Sequence, residues 1–361
     1  MRIGFLILAV TASIGCTRTA PFPEAVHGFL VDDQLNVFDI RAGKFYSLRP
    51  VVEQQLTKCN LPKARFFSIA PNGMYVACVD DAKNIYVLDL STGRCVKSLS
   101  VSKDYVEVGS ISWKPDSTAF IFYLATAKYM PQDSASDRNN IGKGFIEYAS
   151  GPDFQPHALP AIGRITNRWG TYSLARQAWS TNIRFVFGDG DTVKVYDVFA
   201  GTVQTLSNGY KPIGVPQQRY IFWGATVGGY AALGDAGTIP ADIRFRLLGD
   251  ATLHLAVEHP VVSPDGNYFI FVNEGFGSDI FGIAEGPDYS LAIYDQVRDK
   301  YTKIRDLYAS AGFYSGNMDF TRPADGPLIN LICRAVWVQP YDTKIWSSWL
   351  SPKPLPKHSH E

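Results

Sequence analysis

The sequence lacks net charge. Its 361 residues hold 34 lysines and arginines against 34 aspartates and glutamates, and no stretch runs long in one sign. A nucleic-acid binder needs a basic stripe to neutralise phosphates, so no nucleic-acid partner is expected. Methionine and cysteine are scarce, at 4 and 5 residues. No C-x-x-C pair and no Cys/His ligand spacing occurs, which removes a structural zinc site. No G-x-S-x-G elbow is present. Helical periodicity is nearly absent, and low-complexity segments are missing. No cofactor, metal or catalytic set is expected from these residues. What the chain does have is 46% apolar and 13% aromatic residues, ample for a large core.

The one long apolar run stands at the beginning. Arg2 supplies a positive charge, and residues 3–12, "IGFLILAVTA", are too short for a permanent membrane span. The run leads into "SIGC", small residues before a lone cysteine at Cys16. This resembles a bacterial lipobox, although Ser13 stands where leucine is usual. An ordinary signal peptide is the alternative, but a cut after Ala20 would put Arg18 where a small residue is wanted. The resemblance implies a lipoprotein signal peptide over 1–15, lipid attachment at Cys16 and a tether over 16–25. Membrane contact is then expected through that anchor only. Thr17 in place of aspartate implies, by Gram-negative sorting rules, the outer membrane facing the periplasm. That compartment permits disulfides. Cys59, Cys78, Cys95 and Cys333 allow three pairings, and buried free thiols are equally open.

Two phrases recur in the rest of the chain. An alternating strand, an aspartate, a turn and a second strand read "NVFDIRAGKFYSL" at 36–48 and "YVLDLSTGRCVKSL" at 86–99. They return as "KVYDVFAGTVQTL" at 194–206 and "AIYDQVRDKYTKI" at 292–304. The aspartates, Asp39, Asp89, Asp197 and Asp295, are separated by 50, 108 and 98 residues, a period of about fifty with two degraded copies. The other phrase is an apolar run, a Pro-Asn-Gly or Pro-Asp turn and a β-rich run. It starts at Pro71, Pro115 and Pro264. Each phrase is a hairpin, and together they make four short antiparallel strands per unit, the signature of a β-propeller blade. The apolar–Pro–Asp/Asn–Gly pattern resembles the TolB-like and WD-repeat-like propellers of bacterial envelopes, without the Gly-His and Trp-Asp pairs of true WD repeats.

The expected fold is therefore all-β, a propeller of four-stranded antiparallel blades over 26–350 with a flexible tail at 351–361. Seven units are favoured: strands at 26–31, 35–40 and 44–48, then units near 66–100, 110–160, 174–207, 211–257, 259–307 and 316–350. Six is the alternative, if the C-terminal segment supplies the innermost strand missing from the first unit.

Link length points to the working face. Links between strands 1 and 2 and between 3 and 4 are terse, such as "PNG", "STG" and "FAG". The long segments, 49–65, 125–143, 163–176, 224–241, 273–289 and 307–315, all fall on the other face of a propeller, and long loops tend to carry function. Their contact-forming residues are Tyr129, Arg164, Arg168, Trp169, Tyr172, Trp223, Tyr230, Asp235, Glu274, Phe276 and Asp279. Aromatics with arginine and acid at one face suit a protein or glycan partner. The resemblance to TolB-like proteins implies the same role, docking of an envelope partner. The competing reading is a propeller hydrolase or lyase acting on a glycan or small ligand at the ring axis. There Asp133, Glu274 and Asp279 would have to converge. Other chemistry-bearing phrases read as turns or strands. "GDGD" at 188–191 is a tight turn, "HLAVEH" at 254–259 a surface strand, and Asp153 and Asp288 sit in matching turn phrases.

Overall fold

The computed structural model describes residues 22–126, 142–167, 174–223, 231–235, 246–247, 255–275, 288–298, 300–307, 328 and 331–352. They form six antiparallel sheets. The second contains Ala64–Ile69, Tyr75–Asp80, Ile85–Asp89 and Arg94–Leu99, from the inside outward. The third contains Glu107–Trp113, Ala119–Ala125, Gly142–Ser150 and Gln155–Ala158, with Ile165–Asn167 added beside Gly142–Gly144. The fourth has Arg184–Asp189, Thr192–Asp197 and Thr202–Asn208. The fifth has Tyr210–Val215, Arg219–Trp223, Ala231–Asp235 and Arg246–Leu247, and the sixth has Leu255–Val262, Tyr268–Gly275, Asp288–Asp295 and Lys300–Leu307.

The first sheet closes the ring. Its order is Val336–Val338, Phe29–Val31, Asn36–Asp39, Lys44–Ser47 and Ser351–Pro352. The C-terminal segment thus supplies both the innermost strand and an outer edge strand. Of the segment expected as a seventh unit at 316–350, the described strand Val336–Val338 belongs to the first sheet, and the count of seven is corrected. Six complete four-stranded units are not present either: five sheets reach four or five strands, and the fourth has three. Inside the fourth, residues 177–180 take the inner position irregularly. Val186 N–H donates to Ala178 O at 2.8 Å, and Ser180 N–H to Arg184 O at 2.9 Å.

Each sheet packs between two others, so its middle strands are buried on both faces and read as continuous apolar runs. "AFIFYLA" at 119–125 is buried throughout, whereas the outer strand Gln155–Ala158 is exposed throughout. A separate apolar cluster fills every interface between neighbouring sheets. Leu30 with Ile270 joins the first to the sixth, and Phe29 with Phe67 the first to the second. Val79 with Phe122 joins the second to the third, and Tyr123 with Phe185 the third to the fourth. Val195 with Tyr220 joins the fourth to the fifth, and Ile221 with Phe269 the fifth to the sixth. Closure covers the sheet faces and leaves only short outer edges, which limits edge-to-edge aggregation.

Two helices described over their full length depart from the all-strand expectation. Helix α1, Arg49–Lys58, occupies most of the 49–65 link expected as a loop. Pro50 in its first turn is favourable there, Arg49 pairs with Glu53 at 2.7 Å, and Val52 and Leu56 bury against the first and second sheets. Helix α2, Thr343–Ser348, is capped by Asp342, whose carboxylate accepts from Lys344 and Ile345 N–H. It drives Trp346 between the first two sheets, 4.4 Å from the Phe29 ring.

The short turns behave as expected. Asp39, Asp89, Asp197 and Asp295 each accept backbone N–H groups of their own turn. In three sheets a further bond ties the two short turns together, Leu90 N–H to Met74 O, Val198 to Ile183 and Gln296 to Asn267, and in the first sheet Ile40 N–H makes the matching bond to Gly28 O where the chain enters. All short turns therefore lie on one face of the ring, and the strand 2–3 links and sheet-to-sheet links lie on the other. Three expectations change. Residues 224–241 are not one loop, because Ala231–Asp235 is a strand. Leu255–Val262, which includes most of "HLAVEH", is the innermost strand of its sheet rather than a surface strand. Asp153 and Asp288 do not correspond: the first follows a third strand on the short-turn face, and the second opens a third strand at the opposite end.

Candidate functional site

The inner strands all run the same way, so their C-terminal ends meet on the axis at the short-turn face. Ile69, Trp113, Trp179, Gly214, Val262 and Trp337, one from each sheet, line a chamber of about 40 Å³. The tryptophans also tie sheets together. Trp113 Nε1 donates to Ser68 O at 3.0 Å, and Trp179 Nε1 to Ser112 O, the same register position one sheet on, at 3.1 Å. Gly214 is forced here by close approach, since a Cβ would lie 2.2 Å from Ala178 O.

At the other end the axis widens into a chamber of about 260 Å³ opening on the long-link face. Its walls are the N-terminal halves of the second and third inner strands and the Asp32–Leu35 turn of the first sheet. Arg176, from the irregular inner segment of the fourth sheet, forms its floor. Arg176 Nη2 reaches across the ring to Asp33 Oδ2 at 2.7 Å, and Nη1 donates to Arg334 O. The other oxygen of Asp33 is buried without a hydrogen bond, 4.0 Å from the Arg334 guanidinium. Arg65 pairs with Glu107 at 3.1 Å on the rim. Three guanidinium groups thus face two carboxylates. Such forks suit planar oxygen-rich partners, carboxylates above all.

Next to this mouth, Asp32 folds onto its own turn, accepting from Gln34 and Asn36 N–H at 2.9 and 2.8 Å. Burial raises its carboxyl above the ordinary value despite those bonds. The "GDGD" turn is closed as expected, with Asp189 held by Lys194 at 2.6 Å and by Thr166 N–H at 2.9 Å. Among the described residues, no group of three or more His, Cys, Asp or Glu is placed to hold a metal ion. Cys59, Cys78, Cys95 and Cys333 form no disulfide with one another.

The expected contact residues fall unevenly on this geometry. Arg164 is exposed on the long-link face, its Nη2 3.3 Å from Thr126 Oγ1. Trp223 ends a second strand at that face, paired with Ala231, and Glu274 stands near the end of another, paired with Tyr289. Asp235 is the exception: it ends a third strand, opposite Arg219, and so stands at the short-turn end. Tyr129, Arg168, Trp169, Tyr172, Tyr230, Phe276 and Asp279 lie outside the described residues, as does Asp133. The axial residues Asp33, Arg65, Glu107, Arg176 and Arg334 were not expected. "RQAW" at 176–179 reads only as a stretch before a turn, and nothing in it marks side chains aimed along a ring axis.

No protein-family model matches the chain, and no curated protein matches it in sequence. Solved structures do. Oligogalacturonate lyase from Vibrio parahaemolyticus superposes with a TM-score of 0.50 at 10% identity, covering 83% of this chain and 84% of that one. A putative TolB from Agrobacterium tumefaciens gives 0.44 at 15% identity, covering 78% and 90%. The β-propeller domain of a Myceliophteria thermophila protein gives 0.41 at 11%, covering 76% and 82%. At such identities likeness speaks for the fold alone. Together with the closed ring of sheets, it makes this chain a β-propeller.

Proposed function

We propose that the chain is a non-catalytic lipoprotein of the bacterial envelope. In this reading it is anchored through Cys16 at the outer membrane, faces the periplasm, and binds a protein or glycan partner through its long-link face. The observation that carries the reading is the convergence on that face. The strand ends at Ala125, Trp223 and Gly275, where the long links leave, share it with the arginine-lined mouth of about 260 Å³. Structures of similar fold include both a putative TolB and a lyase, so the fold does not choose between binding and catalysis. The mouth favours binding. Its two carboxylates, Asp33 and Glu107, are each held by a guanidinium rather than left as the acid–base pair that glycoside hydrolysis requires.

The test is cross-linked capture from envelope extract with the full chain as bait, beside Arg65→Glu/Arg334→Glu. Both arginines are 58% exposed, so the fold tolerates the change. A partner captured by the parent and reduced at least about tenfold by the variant supports the reading. Equal capture by both removes the mouth from the binding surface. Glycan turnover by the parent that Asp33→Asn abolishes would establish the hydrolase or lyase instead.

A further inference from the structure

The large hydrophobic side chains left exposed are not scattered. Among the described residues they are Val106, Ile183, Phe199, Val297, Tyr341 and Ile345. All but Val106 lie on the short-turn face. Phe199 and Tyr341 are 91% and 92% exposed, and Val297 74%. Phe199 and Val297 hold the same register position, two residues after the aspartate of their turns in the fourth and sixth sheets. Tyr341 stands beside the first and second sheets, its N–H bonded to Asn72 O at 3.3 Å.

These tips are held outward by the backbone. Asp197 Oδ1 accepts from Phe199 and Ala200 N–H at 3.0 and 2.9 Å, and Asp295 Oδ1 accepts from Arg298 N–H at 2.9 Å. Asp295 also pairs through Oδ2 with the Arg298 guanidinium at 2.9 Å, and exposed Lys300 stands near Val297. A large apolar side chain held out at an exposed tip is the pattern of groups that sit at a lipid headgroup boundary.

The chain also enters the fold on this face. Gly28 O accepts from Ile40 N–H at 3.1 Å, and His27 O from Trp337 Nε1 at 3.0 Å, both at the short-turn end of the first sheet. The Phe22 ring lies 6.5 Å from Phe38 in that sheet. From Phe22 back to Cys16 the backbone spans at most about 20 Å, even fully extended. A tether that short holds the face it enters against whatever holds Cys16.

We infer that the short-turn face rests on a phospholipid bilayer, with Phe199, Val297 and Tyr341 as its contact tips and the long-link face turned away. The inference rests on the lipoprotein reading for its tether, but the exposed tips stand without it. Their spacing selects the occupant. Tips on the fourth, sixth and first sheets are spread around the ring, so one flat, extended surface meets all three at once.

The test places a photoreactive benzoylphenylalanine at position 199, 297 or 341 of the full chain in native envelopes, with position 164 on the opposite face as reference. The expected result is phospholipid adducts at the three tips, roughly tenfold above those at 164, as burial of one large apolar side chain implies. Equal lipid adducts at 164, or adducts at the tips to protein alone, overturn the inference. Palmitate labelling of the same chain and of Cys16→Ser runs in parallel. A labelled chain without tip adducts sinks the face and leaves the anchor standing. An unlabelled chain that still gives tip adducts sinks the anchor and leaves the face. For a chain that is not membrane-bound at all, flotation with phosphatidylglycerol vesicles decides: Phe199→Ser/Val297→Ser/Tyr341→Ser must float roughly tenfold less than the parent, and equal flotation refutes the tips.

Discussion

The side-chain amide of Gln177 takes both backbone groups of Val262 across the ring axis. Its Nε2 donates to the Val262 carbonyl at 2.7 Å, and its Oε1 accepts from the Val262 N–H at 2.9 Å. One side chain from the fourth sheet thus completes the hydrogen bonding of the sixth sheet's inner strand, where a partner strand would otherwise be needed. Gln177→Ala leaves a donor and an acceptor unpaired at a part-buried site and is expected to cost about 2–3 kcal/mol. Urea unfolding checks this, and an unchanged midpoint would show that the cross-axis pair carries no stability.

Tyr123 presents the opposite case, a polar group whose removal helps. Its ring covers Gly109 and Gly144, while its hydroxyl is buried without a partner. Burial pushes the phenol up to about 12 from an ordinary 10.0. Tyr123→Phe is expected to hold stability level or raise it by about 1 kcal/mol. Because the folded value lies above the unfolded one, the parent keeps this group's contribution below pH 10 and loses it as the pH rises towards 12. The phenylalanine variant does not titrate, so its advantage must widen over that interval in alkaline melting curves.

Asp197 should show acid dependence of the other sign. Burial raises its carboxyl, but the Ala200 N–H, the Arg184 guanidinium at 2.9 Å and the Phe199 N–H together hold it below the ordinary 3.8. A depressed carboxyl stabilises the fold above its unfolded value, and the contribution disappears as the pH falls through the folded value. Asp197→Asn is therefore expected to be less stable than the parent at pH 7 and to converge with it below about pH 3.8. Thermal melts at both ends of that range measure the convergence.

Trp346 and Gly73 form one joint between the C-terminal helix and the second sheet. Trp346 Nε1 donates to Gly73 O at 3.1 Å, and Gly73, at φ +72°, has room for no Cβ, which would lie 2.6 Å from that nitrogen. Trp346→Ala is expected to cost about 3–5 kcal/mol. Gly73→Ala is expected to cost less, through strain and displacement of the indole. The double variant should cost less than the two together, because the clash vanishes with the ring. Strict additivity in denaturant midpoints would contradict this account of the joint.

The repeated turns were legible because their chemistry is local. The aspartates at 39, 89, 197 and 295 bond to their own turns, so four residues suffice to announce each one. Ring closure was legible only as an alternative. The first unit lacked an innermost strand that the C-terminal segment could supply, but Val336–Val338 reads equally as part of a further unit, and its pairing with Phe29–Val31, some three hundred residues earlier, decides where it belongs. Helix α1 escaped notice because its buried face holds only two apolar side chains, Val52 and Leu56, beside polar Gln55. The axial site was hidden for a geometric reason. Arg176 is one arginine among many until the ring brings it 2.7 Å from Asp33. The short-turn face drew no interest in the sequence because its loops are terse, yet it carries nearly all the exposed apolar side chains among the described residues.

The clamp on the first sheet sets an order of events. Phe29–Val31 and Lys44–Ser47 are among the earliest described strands to be made, and their partners at the inner and outer edges of the sheet, Val336–Val338 and Ser351–Pro352, are the last. Sheets two to six can each assemble from neighbours in sequence as the chain emerges. The first must wait, with both of its edges open, until residue 352 is free of whatever machine is threading the chain. The molecule therefore keeps time: the ring locks only when the polypeptide has been delivered to the last turn, and a chain stalled short of it remains an unlatched arc.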